Sequence, residues 1–139
     1  MFARPPRVVL DRADGFDDLV TCLPVVQEVL QGFDDEHTFR VARSAMLALP
    51  VVESPISEAV YLEAVDLYRR ARRAGITIRS SVDCLIAACA LRHGLTIFHS
   101  DRDFDALARI APLDVESLAS RRRKPPRHRA RRLGDNTRS

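Results

Sequence analysis

Residues 79–110, "RSSVDCLIAACALRHGLTIFHSDRDFDALARI", constrain this chain more than any other stretch. A serine-led segment of helical period runs into Gly94, an apolar run "LTIF" follows, and a polar loop then opens a second helical pattern. Helix, glycine stop, short strand, loop, helix reads as part of an α/β protein with a mostly parallel sheet. "LTIF" (95–98) carries no polar side chain except Thr96, as a strand covered on both faces requires. The loop after it poses a problem. Aspartates stand at 101, 103 and 105, and each repels the others. Either they cap the next helix or something positive sits among them.

The remaining segments fit the same class. "LVTC" (19–22) reads as a short strand and "LPVVQEVLQGF" as a helix with Pro24 in its first turn. Val25, Val26, Val29, Leu30 and Phe33 share one arc of that helix, and Glu28 falls on its edge. A carboxylate there is partly desolvated, which is costly unless something compensates it. A second helix is expected over about 35–49, with Phe39, Ala42, Met46 and Leu49 as its stripe and Pro50 as its stop. "VV" (51–52) is a candidate brief strand. A third helix starts near the N-cap Ser57, with Val60, Tyr61, Ala64, Val65, Tyr68 and Ala71 expected in its core stripe. Arg69, Arg70, Arg72 and Arg73 crowd its C-terminal end, where cations suit the helix dipole, and Gly75 ends it. In the fourth helix Ser80 or Ser81 is the cap, Val82, Leu85, Ile86 and Cys89 face inward, and Asp83 sits in the first turn. A last helix is expected over about 104–110, capped by Ser100 or Asp103.

Composition removes several function classes. The 139 residues suit one domain, and no stretch approaches the roughly 18–20 apolar residues of a membrane span. The first residues lack an apolar segment with a small-residue cleavage site, so a cytoplasmic location is expected. Cys22, Cys84 and Cys89 form no C-x-x-C pair, which leaves buried free thiols rather than a zinc site or a disulfide framework. His37, His93, His99 and His128 are scattered. The net charge of +3 divides unevenly. Residues 121–139 hold nine Lys or Arg against one Asp, a net +8, whereas residues 1–120 hold thirteen against eighteen acids, a net −5. The expected organisation is therefore a domain over 1–120 and a basic disordered tail over 121–139. The tail either adds attraction to a polyanion or is a solubilising extension.

Three acidic sites share a geometric feature. Glu28 follows the strand "LVTC" within about two helical turns. Asp83 opens the helix that feeds "LTIF", and Asp101 and Asp103 lie just past that strand's C-terminal end. Ligands of open α/β sheets bind in the crevice beyond the carboxyl ends of the strands. Carboxylates gathered there without His or Cys suit a hard divalent cation such as Mg²⁺, which takes oxygen ligands at roughly 2.0–2.1 Å. A cation so held activates water and offsets charge building on phosphorus, which makes a phosphodiester the natural substrate. Taken singly, each acid has a plainer role: a capped loop at "SDRDFD", a first-turn helix carboxylate at Asp83, a rim residue at Glu28.

The chain from about 19 to 114 resembles the PIN-domain nucleases, specifically VapC-type toxins of toxin–antitoxin pairs. "LVTCLPVVQEVLQGF", "RSSVDCLIAACALRHGLTIFHSDRDFDALARI" and the helix pair between them carry the resemblance. It implies a three-layer α/β/α fold with a parallel sheet. It also implies endonucleolytic cleavage of RNA dependent on Mg²⁺ or Mn²⁺, inhibition by a cognate antitoxin, and a homodimer. On the family pattern Glu28 is an active-site acid, Asp83 a metal ligand and Asp101 the following acid with Asp103 in support; the metal set is Asp83, Asp101 and Glu28. Arg79 and Arg102 are phosphate contacts by position only.

The chain departs from the family at its beginning. Members open with an apolar strand ending in Asp, then a helix, before the equivalent of "LVTC". Only eighteen residues precede Leu19 here. "RVVLD" (7–11) resembles that strand, with Asp11 in place of its acid, but leaves no room for the helix. Alternatively the true first strand and its Asp are absent, and the match into "LVTC" favours this. Absence would leave apolar strand edges unpaired and remove one metal ligand. Two functions therefore compete: a metal-dependent ribonuclease toxin, and an impaired PIN-like remnant that binds its antitoxin or itself without cutting. A phosphatase-like hydrolase on another α/β fold is a weaker third, since the chain lacks an Asp-x-Asp after a first strand.

Overall fold

A computed structural model describes residues 8–11 and 19–117. The tail proposed from the charge run lies outside the described residues. Nine elements follow in chain order: β1 (Val8–Asp11), β2 (Leu19–Val20), α1 (Leu23–Leu30), α2 (Glu36–Leu47), α3 (Glu58–Arg73), α4 (Ser81–His93), β3 (Thr96–His99), α5 (Arg102–Ala108) and β4 (Asp114–Ser117). The α/β class read from the sequence is the class observed.

The local signals set most boundaries. Pro24 occupies the first turn of α1, Ser57 caps α3 by accepting from the Val60 N–H, and Gly94 ends α4 in the left-handed conformation at φ 61°. Val51 pairs with Thr21 in a single parallel bridge, which is all that the brief strand at 51–52 amounts to. Helix α5 starts earlier than expected, because Asp101, not Ser100 or Asp103, is its N-cap. Strand β4 was not foreseen. Its four residues are too short and too polar to show a period.

The sheet order is β2-β1-β3-β4, and here the expectation of a mostly parallel sheet needs correction. Only β3 and β4 run parallel, whereas β1 is antiparallel to both β2 and β3. The cause is connection length. Seven residues separate Asp11 from Leu19, and a parallel crossover needs about a dozen or more. The N-terminal segment therefore enters the central slot reversed. The apolar edges expected to lie unpaired are paired on both sides by β1, and Leu10 is fully buried between them.

The core forms where α4 meets α3, β3 and the start of α1. From Ile86 to Ala90 no residue of α4 is exposed at all, so this helix is apolar on nearly every side. Helix α3 corrects the stripe read from its sequence. Val60, Ala64, Leu67 and Ala71 face the core, while Tyr61, Val65 and Tyr68 are 51%, 56% and 41% exposed. Both faces of α3 carry apolar residues, so periodicity alone did not decide which one packs. Helix α2 has no buried residue, and Met46 alone of its expected stripe packs on the core.

Candidate active site

The C-terminal end of β3 and the N-terminus of α4 meet in one place. Asp83, Asp101 and Asp103 each present a carboxylate oxygen there, and the three oxygens lie within 4.8 Å of one another. Asp83 and Asp103 are buried, and Asp101 is half-buried. Glu28, half-buried on α1, stands outside this group but close enough for its charge to act on Asp83. The acids picked out on the sequence are thus brought together as a tight trio with Glu28 at its edge.

Each aspartate is held differently. Asp101 caps α5 through Oδ1, which accepts the Asp103 N–H at 3.0 Å. Asp103 turns its Oδ2 the other way, accepting the N–H groups of Arg79 at 2.9 Å and Ser80 at 3.1 Å. Those two groups lead into α4, whose own N-cap Ser80 supplies no side-chain bond. Asp103 therefore ties the β3–α5 loop to the start of α4 and fixes where Asp83 lies. Replacing it should show this. Asp103→Ala strands two N–H groups, at about 1–3 kcal/mol each, and urea denaturation is expected to record a loss of about 2–6 kcal/mol.

Asp83 is the exception in the trio. Its Oδ2 is buried and has no hydrogen-bond partner among the described residues. Its pKa is pushed up to about 7 from an ordinary 3.8, first by burial, then by the charges of Asp101 and Asp103 and a side-chain hydrogen bond with Asp103, with Glu28 adding the least. The dipole at the α4 N-terminus favours the ionised form by about 0.3–1 kcal/mol, too little to offset those effects. Burial and the charges of Asp83 and Asp103 push the neighbouring Cys84 thiol up to about 11, which leaves it inert as a nucleophile.

This donor set fits a hard divalent cation. It is all carboxylate oxygen, it contains a buried oxygen with nothing to bond, and it concentrates negative charge that no Lys, Arg or His side chain pairs with among the described residues. A proton on Asp83 relieves part of the repulsion. A divalent ion would relieve more.

The backbone of Asp11 lies away from the trio. It pairs with Thr96, whereas Val8 pairs with His99 at the end of β3 that carries the site. Three residue steps separate the two ends, about 10 Å at 3.3 Å per residue. The reversal of β1 thus carries Asp11 away from the acids. Arg79 and Arg102 flank the trio with exposed side chains, and Arg79 contributes its backbone N–H rather than a contact by its guanidinium. Sequence reasoning passed over His99, which is 2% exposed and whose Nδ1 accepts the Asp101 N–H at 3.1 Å. Its place at the end of an apolar strand, next to the acidic loop, was the one available signal.

Known proteins resemble this chain over most of its length. The PIN domain profile matches residues 4–110. VapC ribonuclease Mb1587 of Mycobacterium bovis (strain ATCC BAA-935 / AF2122/97) is 42% identical over 101 residues, covering 72% of this chain and 74% of the relative. Ribonuclease VapC11 of Mycobacterium tuberculosis is similar to the same extent in strains CDC 1551 / Oshkosh and ATCC 25618 / H37Rv.

Proposed function

The chain belongs to the PIN-domain family, and from that membership and its acidic trio we propose that it is a divalent-metal-dependent endoribonuclease, the toxin of a toxin–antitoxin pair. The observation that carries the reading is the buried, unpartnered Oδ2 of Asp83 beside two further carboxylates. Asp83 and Asp101 would hold Mg²⁺ or Mn²⁺, with Glu28 completing the set from α1 and Asp103 supporting through its free oxygen. When bound, such an ion neutralises charge on a phosphodiester and lowers the pKa of a coordinated water.

The protein's own part is preparation of the site. Asp83 would have to lose its proton to hold the ion, so binding would release a proton and strengthen as pH rises toward 7. Asp103 holds the α4 start in register with the α5 start. Arg79 and Arg102 stand on the exposed rim, where a phosphate would meet a guanidinium. Cleavage of single-stranded RNA with added Mn²⁺ or Mg²⁺, and its loss with a chelator, tests the reading. Equal hydrolysis in both conditions would sink it.

The resemblance to VapC-type toxins supports an antitoxin as partner and a homodimer as the assembly. The exposed side of α3 offers Tyr61, Leu62, Val65 and Tyr68 to such a partner. One observation favours a second reading. The Asp11 backbone stands at the end of β3 away from the trio. A module that binds cation and antitoxin but cuts slowly is consistent with that, and Mn²⁺ binding without RNA cleavage would select it.

No helix among the described residues is long and apolar enough to cross a membrane.

A further inference from the structure

The hydrogen bonds around the acids form one chain, and His99 stands at its root. Its ring is buried and packs against Phe104 with centroids 5.3 Å apart and planes at 51°. Nδ1 accepts the Asp101 N–H at 3.1 Å, and a ring nitrogen that accepts carries no proton. The ring is therefore the neutral tautomer with its proton on Nε2. Nε2 lies 3.2 Å from Oδ1 of Asp105, without full hydrogen-bond geometry. On the other side, Asp101 Oδ1 holds the Asp103 N–H, and Asp103 Oδ2 holds the N–H groups of Arg79 and Ser80 at the start of α4. Asp83 lies in the first turn of that helix.

From this chain we propose that His99 is a positioning residue for the cation-binding acids. It fixes the backbone of Asp101 through Nδ1, and that placement passes through Asp103 to Asp83. The inference rests on the metal-dependent reading above and goes beyond it by assigning a role to a residue that touches neither cation nor RNA. A plain core ring would pack on Phe104 equally well but would have no need of a nitrogen facing Asp101.

Three substitutions separate the two roles. His99→Phe keeps the ring and removes the acceptor. His99→Asn keeps an acceptor at the Nδ1 position, and His99→Gln moves its amide to the Nε2 position. Mn²⁺ affinity of the full chain is measured by calorimetry without RNA, alongside kcat and KM for RNA cleavage. His99→Phe is expected to weaken Mn²⁺ binding about 10–100-fold and to lower kcat more than it changes KM. His99→Asn is expected to recover most of the affinity and His99→Gln to recover little. If His99→Phe does not fold, the order of Asn over Gln decides. Wild-type affinity in His99→Phe, or an Asn variant no better than Gln, would overturn the proposal. If RNA is cleaved while the variants match wild type, His99 loses its role and the ribonuclease reading stands. If Mn²⁺ affinities follow the expected order but no RNA is cut, the positioning role stands and the ribonuclease reading falls. A wild type that binds no Mn²⁺ removes both.

Discussion

Asp83→Asn is expected to lose metal-dependent RNA cleavage by more than about 100-fold while making the metal-free protein more stable at neutral pH. The first effect follows from removing a ligand oxygen, since even partners behind a ligand cost about 10–100-fold. The second follows from the raised pKa. Between pH values near 3.8 and about 7 the folded chain holds a proton on Asp83 that the unfolded chain has released. The unfolded state binds fewer protons there, so stability falls as pH rises through that window. It is complete below the unfolded pKa and is lost by the time pH passes about 7. A shift of this size corresponds to a few kcal/mol. The neutral amide removes the slope. Urea denaturation of wild type and Asp83→Asn at pH 5 and pH 7.5, with chelator present, measures it. The two proteins should differ more at pH 7.5 than at pH 5. A variant less stable than wild type at pH 7.5 would mean that the Asp83 carboxylate is stabilising, and the site would no longer call for a cation.

Leu10→Ala is expected to destabilise the fold by about 2–5 kcal/mol, the cost of deleting a fully buried leucine side chain. The same strand supplies its own control. Asp11→Asn should leave metal-dependent cleavage unchanged, because β1 runs antiparallel to β3 and carries Asp11 to the end opposite the acids. The pair of results distinguishes two roles for the N-terminal segment. Were it the family's first strand, Asp11→Asn would abolish cleavage and Leu10→Ala would merely weaken the core. As the structure has it, β1 fills the gap between β2 and β3 with the Asp11 backbone at the end of β3 away from the acids. Loss of cleavage in Asp11→Asn, with stability unchanged, would refute that placement.

The contrast between these acids shows what could be read from the chain. Asp83, Asp101 and Asp103 were legible because each lies next to a strong local signal: a serine-led helix start, and the end of an apolar strand. Glu28 was legible from its position on the edge of an apolar arc, and the structure leaves it just outside the trio. The division of labour among them was not legible. Asp103 as the tie to Arg79 and Ser80, and Asp101 as the cap of α5, depend on contacts between segments more than twenty residues apart or on a choice among adjacent polar residues. His99 was hidden for a similar reason, since a histidine among apolar residues has no period of its own.

By itself, the order of residues determined where helices start and stop, that the class is α/β, and that carboxylates gather beyond the end of "LTIF". Those features arise from caps, glycine stops and side-chain period, all of which act within a few residues. Only the tertiary structure decided which face of α3 is buried, that β1 runs reversed through the middle of the sheet, and that Asp11 is therefore remote from the acids. Strand direction is set by the length of the connection and by which edges are left to pair, and a helix with two apolar faces buries whichever one its neighbour covers. Both are properties of the assembled chain, and no short window of sequence contains them.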